Sequence, residues 1–415
     1  MRDGFHYPPG MKFKFLTRSL RHRNFRLYFF GQLLSLNGTW MQSIAQAWLV
    51  YRLTDSSFML GLVSFLNLAP VLVLGLAAGA LADHYSRYRL LWMTQTLAML
   101  QAFVLGALTL SGYVQVGHIL VLATLLGIIH AFEIPARHAL VAGLVDRVDL
   151  PNAIALNSSL FNLARFVGPA LAGLLIAALG EGPLFILNGL SFLAVLVALA
   201  AMRPRPRMHV RPSGGSGGPW AALRFAWRQP PLRYALALVA LVALVGTPYL
   251  VLMPVFARDV FGGDAQQLGL LVGASGFGAL LGALRLAQRK MSTGLERVIA
   301  VSGLLAGLGL LLFSQASSFA FALASLPIIG FALTSLVAGT NTFLQLEVED
   351  SLRGRLMSLF SVVFLGSAPL GNLLAGSVAQ HIGVAHTVAA CGAICLIGGA
   401  VLGYGLCRSA AAQRD

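Results

Sequence analysis

Charge is scarce in this sequence. Only 14 of its 415 residues are acidic, and Asp, Glu, Lys and Arg together make up 10%, where a water-soluble domain carries about 25%. Hydrophobic residues reach 57% and the mean hydropathy is +0.79, which excludes an ordinary soluble globular protein. Cysteine is nearly absent. The three present, Cys391, Cys395 and Cys407, all fall in the last apolar segment, with no CxxC spacing and no pairing across distant loops, so they read as small apolar residues rather than a disulfide or metal framework. No GxxxxGK[ST] loop is present to cradle nucleotide phosphates, so the chain is not expected to hydrolyse ATP itself. The nine histidines form no HExxH or other ligand pattern, and no Ser/His/Asp arrangement stands out. Neither enzyme activity, a metal nor a cofactor is expected.

What is present is apolar length. A helix crossing the hydrocarbon core needs about 20 apolar residues, and the apolar content suffices for about twelve. Apolar runs place spans near 25–51, 58–82, 89–111, 117–141, 153–179, 183–202, 232–257, 267–289, 297–313, 319–345, 356–380 and 384–407. These runs are far longer than the roughly ten alternating residues of a barrel strand, so the expected fold is an all-α integral membrane protein. The basic segment before residue 25 leads into no short apolar region with a small-residue cleavage site, and the first span is expected to be retained.

Basic residues set the orientation. With the N-terminus in the cytoplasm, 26 of the 29 Lys and Arg lie inside, only Arg52 and Arg258 lie outside, and Arg165 falls within a span. Both termini are therefore expected to be cytoplasmic. The formal charge of +15 reflects the inner leaflet of anionic lipid rather than nucleic acid.

The longest interior loop opens RPRPRMHVRPSGGSGGP, a composition that buries no core and reads as a tether. Trp220 to Arg228 follows as a short interfacial amphipathic helix. This divides the chain into a basic tail (1–24), a six-helix bundle (25–202), a linker (203–231), a second six-helix bundle (232–407) and a short tail (408–415). A repeat supports the division. A shift of 203 residues sets Gly278 on Gly75, Gly282 on Gly79, Glu349 on Asp146, Gly376 on Gly173 and Gly383 on Gly180. Two parallel repeats enclosing a midplane cavity characterise one transporter architecture.

The most specific motif follows the second span: Gly79-Ala80-Leu81-Ala82-Asp83-His84-Tyr85-Ser86-Arg87-Tyr88-Arg89. It resembles the major facilitator superfamily signature G-x-L-a-D-r-x-G-r-r, with Ser86 where glycine is usual. The resemblance implies twelve transmembrane helices in two pseudo-symmetric six-helix bundles. It also implies that Gly79, Asp83, Arg87 and Arg89 form a latch with the start of helix 11, at Arg353 and Arg355. A second stretch, Phe132-Glu133-Ile134-Pro135-Ala136-Arg137, continues to Asp149-Leu150-Pro151-Asn152 and Gly168-Pro169-Ala170-Leu171-Ala172-Gly173. It resembles the drug and siderophore exporter branch that includes enterobactin and macrolide efflux proteins. That likeness implies export of a drug-like or siderophore-like molecule across a bacterial-type inner membrane, with proton antiport as the energy source.

Within the spans, Glu133 and Arg137 are an i, i+4 pair on one helix face. A carboxylate there is costly unless paired or wetted. Burial and a neighbouring arginine pull its proton affinity in opposite directions, so protonation can be tied to conformation. The pair reads either as a proton carrier or as a gate, with Pro135 pointing to a helix near its end. Arg165, mid-span, reads as an anion-binding residue near Asn162 and Ser158 or as a bridge to Glu133. Gln32, Ser35, Thr39, Gln42, Ser43 and Gln46 share one face of the first helix. That face lines a water-filled cavity or holds helices together. Tyr249, Asn341 and Gln345 are further cavity candidates. The expected partners are a small molecule, protons and the bilayer, and the chain is expected to be a monomer. Uptake, lipid flipping or a non-transporting sensor or scaffold are the alternatives.

Overall fold

The computed structural model describes residues 17–203, 219–289, 294–348 and 350–412, excluding the side chains of residues 76, 80–84, 219–223, 350 and 351. Long apolar runs with few internal breakers fold into helices, and the described residues contain no strand. Among the described residues, twelve helices are long enough to cross a bilayer. In chain order they are α1 (Arg23–Thr54), α2 (Ser57–His84), α3 (Arg87–Leu110), α4 (Val116–Leu144), α5 (Leu150–Leu179), α6 (Glu181–Ala201), α7 (Pro230–Val260), α8 (Ala265–Ala287), α9 (Leu295–Ser314), α10 (Phe319–Glu347), α11 (Asp350–Ile382) and α12 (Val384–Ala412). A linker helix, Pro219–Arg228, precedes α7.

Eleven of the twelve are also apolar enough to span by hydropathy, and the exception is α1. Its 32 residues reach about 48 Å, ample for a hydrocarbon core of about 30 Å. Its polar stripe lowers the hydropathy, and much of that stripe is buried: Gln32, Ser35, Gln42 and Gln46 are each 7% exposed or less. A helix that hides its polar face among its neighbours needs no uniformly apolar surface.

Two expected boundaries shift. Pro135 does not end α4, which continues nine residues further to Leu144. A transmembrane helix tolerates an internal proline because neighbouring groups satisfy the freed carbonyl. The seventh span is not one regular helix. It runs as α-helix from Pro230 to Leu241, a π turn over Val242–Gly246, a 3-10 turn over Pro248–Leu250, and a further π turn over Phe256–Val260. Pro248 and Pro254 each remove a backbone donor, so the ladder breaks around them. Much of the segment is packed inside protein, with Tyr249, Leu252, Met253, Phe256 and Ala257 at 2% exposure or less. That is the setting in which irregular backbone is tolerated at membrane depth.

One joint recurs at the 203-residue spacing. Gly180 joins α5 to α6 at φ +78°, and its repeat mate Gly383 joins α11 to α12 at φ +83°. Both turns use a left-handed conformation that glycine adopts at no steric cost. Helices alternate in direction, so one end of the molecule carries both ends of the described chain, residues 17 and 412, and the other carries the joints at residues 55, 180, 263 and 383.

Candidate functional site

The bundles meet along two seams made by small residues. On one seam, a β-carbon on Gly61 of α2 would stand 2.6 Å from the Asn372 carbonyl oxygen of α11, and one on Gly376 would stand 2.6 Å from the Ser57 carbonyl. Ser57 Oγ donates to the Gly376 carbonyl at 3.0 Å, and Asn372 Nδ2 donates to Ser64 Oγ at 2.8 Å. On the other seam, a β-carbon on Gly269 of α8 would lie 2.5 Å from the Pro169 carbonyl of α5, and one on Gly276 would lie 2.5 Å from the Arg165 carbonyl. Small residues let helix backbones approach this closely.

Both seams belong to the half of the molecule away from the termini. The same end carries charged contacts between the bundles. Arg258 Nη1 of α7 donates to Asp55 Oδ1 at the end of α1, at 2.5 Å, and lies 5.5 Å from the Tyr51 ring centre. Tyr51 Oη donates to Asp259. Gln380 Oε1 of α11 accepts from Ser56 Oγ at 2.9 Å and Ser57 Oγ at 3.2 Å. Toward the termini the packing opens. Nothing lies within 4 Å of a β-carbon placed on Gly75 or Gly79 of α2, or on Gly354 of α11. The structure is therefore a cleft closed at the far end and open at the end carrying the termini.

Most of the latch proposed from the signature motif sits in that open region. Arg87 Nη1 donates to the Ala139 carbonyl of α4 at 3.2 Å, within its own bundle. Arg353 Nε donates to the Gln345 carbonyl of α10 at 2.9 Å, also within its own bundle. Arg89 is exposed and Arg355 half-buried. The side chain of Asp83 lies outside the described residues.

Glu133 is 7% exposed on α4, eleven residues and about 16 Å from its terminal residue Leu144. Arg137 Nη1 lies 3.4 Å and His130 Nε2 3.8 Å from its carboxylate. The position is well inside the helix rather than at its end. Tyr28 of α1, 1% exposed, is within electrostatic reach of both Glu133 and Arg137, and its hydroxyl has no hydrogen-bond partner among the described residues. The sequence reading missed His130 and Tyr28; the i, i+3 spacing of His130 to Glu133 was the available signal.

The polar stripe of α1 divides. Gln42 turns into its own bundle, where Asn188 Nδ2 of α6 donates to its Oε1 at 2.7 Å and its Nε2 donates to Gln101 Oε1 of α3 at 3.0 Å. That is helix glue. Thr39 and Ser43 are more open and donate to the Ser35 and Thr39 carbonyls one turn back, at 2.9 and 3.0 Å. Gln32, Ser35 and Gln46 are buried. Tyr249 is also buried, its hydroxyl 2.5 Å from Ser275 Oγ of α8. On α10, Gln345 Nε2 donates to Asn341 Oδ1 at 2.6 Å, both on the open half. Asn162 donates to the Ser158 carbonyl at 2.8 Å.

Arg165 lies midway along the 30 residues of α5, half-buried. Its guanidinium makes no hydrogen bond or ion pair among the described residues. The bridge to Glu133 does not form, because Glu133 is taken by Arg137 and His130.

The family described as transmembrane secretion effector matches residues 17–413. The staphyloferrin A transporter of Staphylococcus aureus is 27% identical over 370 residues, covering 87% of this chain and 91% of that one. The multidrug efflux pump Tap of Mycolicibacterium fortuitum is 29% identical, covering 87% and 90%. Macrolide efflux protein A of Streptococcus pyogenes is 24% identical, covering 88% and 93%. Among solved structures, a bacterial homolog of the human lysosomal transporter Spinster, in an inward-facing and unoccupied conformation, superposes with a TM-score of 0.71 at 15% identity, over 95% of this chain and 98% of that one. The nucleoside transporter NupG does so at 0.68 and 14%, over 94% and 98%.

Proposed function

The chain belongs to the transmembrane secretion effector family of major facilitator transporters, and on that premise we propose that it exports a small organic molecule across a bacterial inner membrane by proton antiport. It is a multi-pass membrane transporter. The observation that carries the reading is the cleft: two repeated bundles, sealed at one end by the Gly61–Gly376 and Gly173–Gly269 seams and open at the other. A carrier that rocks between two such arrangements delivers cargo without ever opening a continuous pore.

The open end is assigned to the cytoplasm because the basic residues gather there. Both termini are then cytoplasmic, and the bundles at 25–202 and 232–407 move as units about the linker at 203–231. Gly79, Asp83, Arg87, Arg89, Arg353 and Arg355 serve as the inner latch that forms when the cytoplasmic end closes. Tyr51, Asp55, Arg258 and Asp259 serve as the outer gate. The chain works as a monomer, without enzymatic chemistry of its own.

Glu133 is the proton-coupling residue in this scheme. An unpaired charge at the centre of a membrane helix costs about 2.5–3.5 kcal/mol, and Arg137, 3.4 Å away, offsets that cost. Protonation of Glu133 releases Arg137 from its partner and changes the electrostatic fit of α4 against Tyr28 and its neighbours. The test is transport of a fluorescent drug in proteoliposomes under an imposed proton gradient. Wild-type protein is expected to move it against the proton flow, while Glu133→Gln retains downhill exchange but loses the response to the gradient. Unimpaired proton-driven transport by Glu133→Gln removes the carrier role, and the absence of movement under any gradient removes the transporter reading.

A further inference from the structure

Arg165 occupies a particular place in the cleft. The α5–α8 seam runs backbone to backbone from Gly173 and Gly269 to Arg165 and Gly276, and there it ends. One to three turns nearer the termini, Phe161 and Ile154 on α5 and Leu281 and Leu284 on α8 are all 42% exposed or more. Arg165 thus stands at the apex of the cleft, where the closed half gives way to the open half.

Its direction follows from the helix. Successive residues turn by about 100°. Phe161 and Gly168 mark the side of α5 that faces α1, through the Trp40 ring 6.0 Å from Phe161 and a Trp40 β-carbon 2.6 Å from a β-carbon placed on Gly168. Pro169 and Gly173 mark the side that faces α8. Arg165 and Ser158 point between these two sides, into the space that α1, α5 and α8 enclose. The charge reaches as far as Tyr249 on the broken segment of α7.

Among the described residues, no acidic side chain offsets Arg165 at this apex. Glu133 is balanced by Arg137, Glu181 by Arg52 at 2.8 Å, and Asp55 by Arg258. Among the described residues Arg165 pairs with no carboxylate, and a charged group at that depth needs either water or a counter-ion. Guanidinium binds carboxylate through two parallel N–H donors, a geometry that also selects orientation. On its α1 side the wall is aromatic, with the Phe161 and Trp40 ring centres 6.0 Å apart.

Resting on the exporter reading above, we propose that the cargo is an organic anion, with a carboxylate or similar oxyanion held by Arg165 and an apolar or aromatic body against Phe161. Cations are disfavoured at the same point because, among the described residues, no free carboxylate faces the apex to receive them.

The experiment is equilibrium binding to purified full-length protein in nanodiscs, with 2-naphthoate and 2-naphthylmethylammonium as probes that share one ring system and differ in charge. Binding needs no gradient, so its outcome is separate from that of the transport assay. Wild-type protein is expected to bind the naphthoate about tenfold or more tightly than the ammonium probe. Arg165→Gln loses about tenfold or more of the naphthoate affinity with an unchanged melting temperature, Arg165→Lys falls between, and Phe161→Ala weakens both probes alike. A preference for the ammonium probe, equal naphthoate binding by Arg165→Gln, or no saturable naphthoate binding overturns the proposal.

Discussion

Arg258 and Asp55 join the two bundles at 2.5 Å, far along the chain from each other, at the end opposite the termini. Both are partly exposed, at 40% and 69% of the side chain, so the pair is screened and worth about 0.2–1 kcal/mol. Its influence lies in the equilibrium it biases. Arg258→Ala is expected to raise the population open at the far end about 1.4- to 5-fold, by the same range of energies. A membrane-impermeant maleimide applied from that side to Ser64→Cys, on the α2–α11 seam, reports the change as faster labelling. An unchanged labelling rate means the contact does not contribute to closure.

The seams resist enlargement. A β-carbon at Gly61 meets the Asn372 carbonyl at 2.6 Å, and the obstacle is backbone rather than a side chain that can swing away. Gly61→Val is expected to hold the far end open and abolish turnover while leaving the two bundles folded. By contrast, a β-carbon at Gly330 meets the Ser275 carbonyl within one bundle at 1.9 Å. Gly330→Ala is expected to destabilise the protein itself, by about 1–3 kcal/mol, and thermal unfolding distinguishes the two outcomes.

Gln42 separates structure from cargo recognition. It is 3% exposed and joins α1 to α6 and α3 through Asn188 and Gln101. Gln42→Ala leaves both partners without it, at a cost of about 1–3 kcal/mol. A lowered melting temperature with an unaltered ranking of transported compounds is expected. An altered ranking at unchanged stability returns Gln42 to the cavity.

The segment before α1 is clamped to the start of α5. Asp149, buried at the α5 N-terminus, receives His22 Nε2 and Arg21 Nη2 at 2.7 Å each and pairs with Arg18, while Ser19 Oγ donates to its carbonyl at 3.0 Å. The hydrogen bond from His22, then those charges, hold its carboxyl below the ordinary carboxylate value. A carboxyl with a lowered folded-state pKa contributes stability that is full above its unfolded value of about 3.9 and is lost as pH falls through the folded value. Asp149→Asn is therefore expected to melt earlier than wild type at pH 7. The gap should persist to about pH 5 and close under stronger acid; a gap that instead closes between pH 8 and 6 contradicts this account.

How much of this was legible in the sequence depends on range. The helices, their number and the two-fold repeat follow from apolar length and from glycines such as Gly180 and Gly383, because hydropathy and turn conformation are local. Glu133 and Arg137 were legible as a pair for the same reason. Pro135 misled, since a proline signals a break only where no neighbour satisfies the freed carbonyl. The break in α7 was hidden by its uniformly apolar composition. Gln42 and Thr39 looked alike on one helical wheel, and only packing against α3 and α6 set them apart. Tyr51, Asp55, Arg258 and Asp259 escaped notice because their contacts cross about 200 residues of chain.

The central claim is that the two ends of the cleft open in alternation. With the native Cys391, Cys395 and Cys407 replaced, spin labels at Gly79 and Gly354 report the open end, and a second pair at Ser64 and Asn372 reports the sealed end. Paired distance measurements in nanodiscs, with and without an imposed proton gradient, follow both. The account predicts that the Gly79–Gly354 distance shortens as the Ser64–Asn372 distance lengthens. Distances that change together, or only at one end, contradict it.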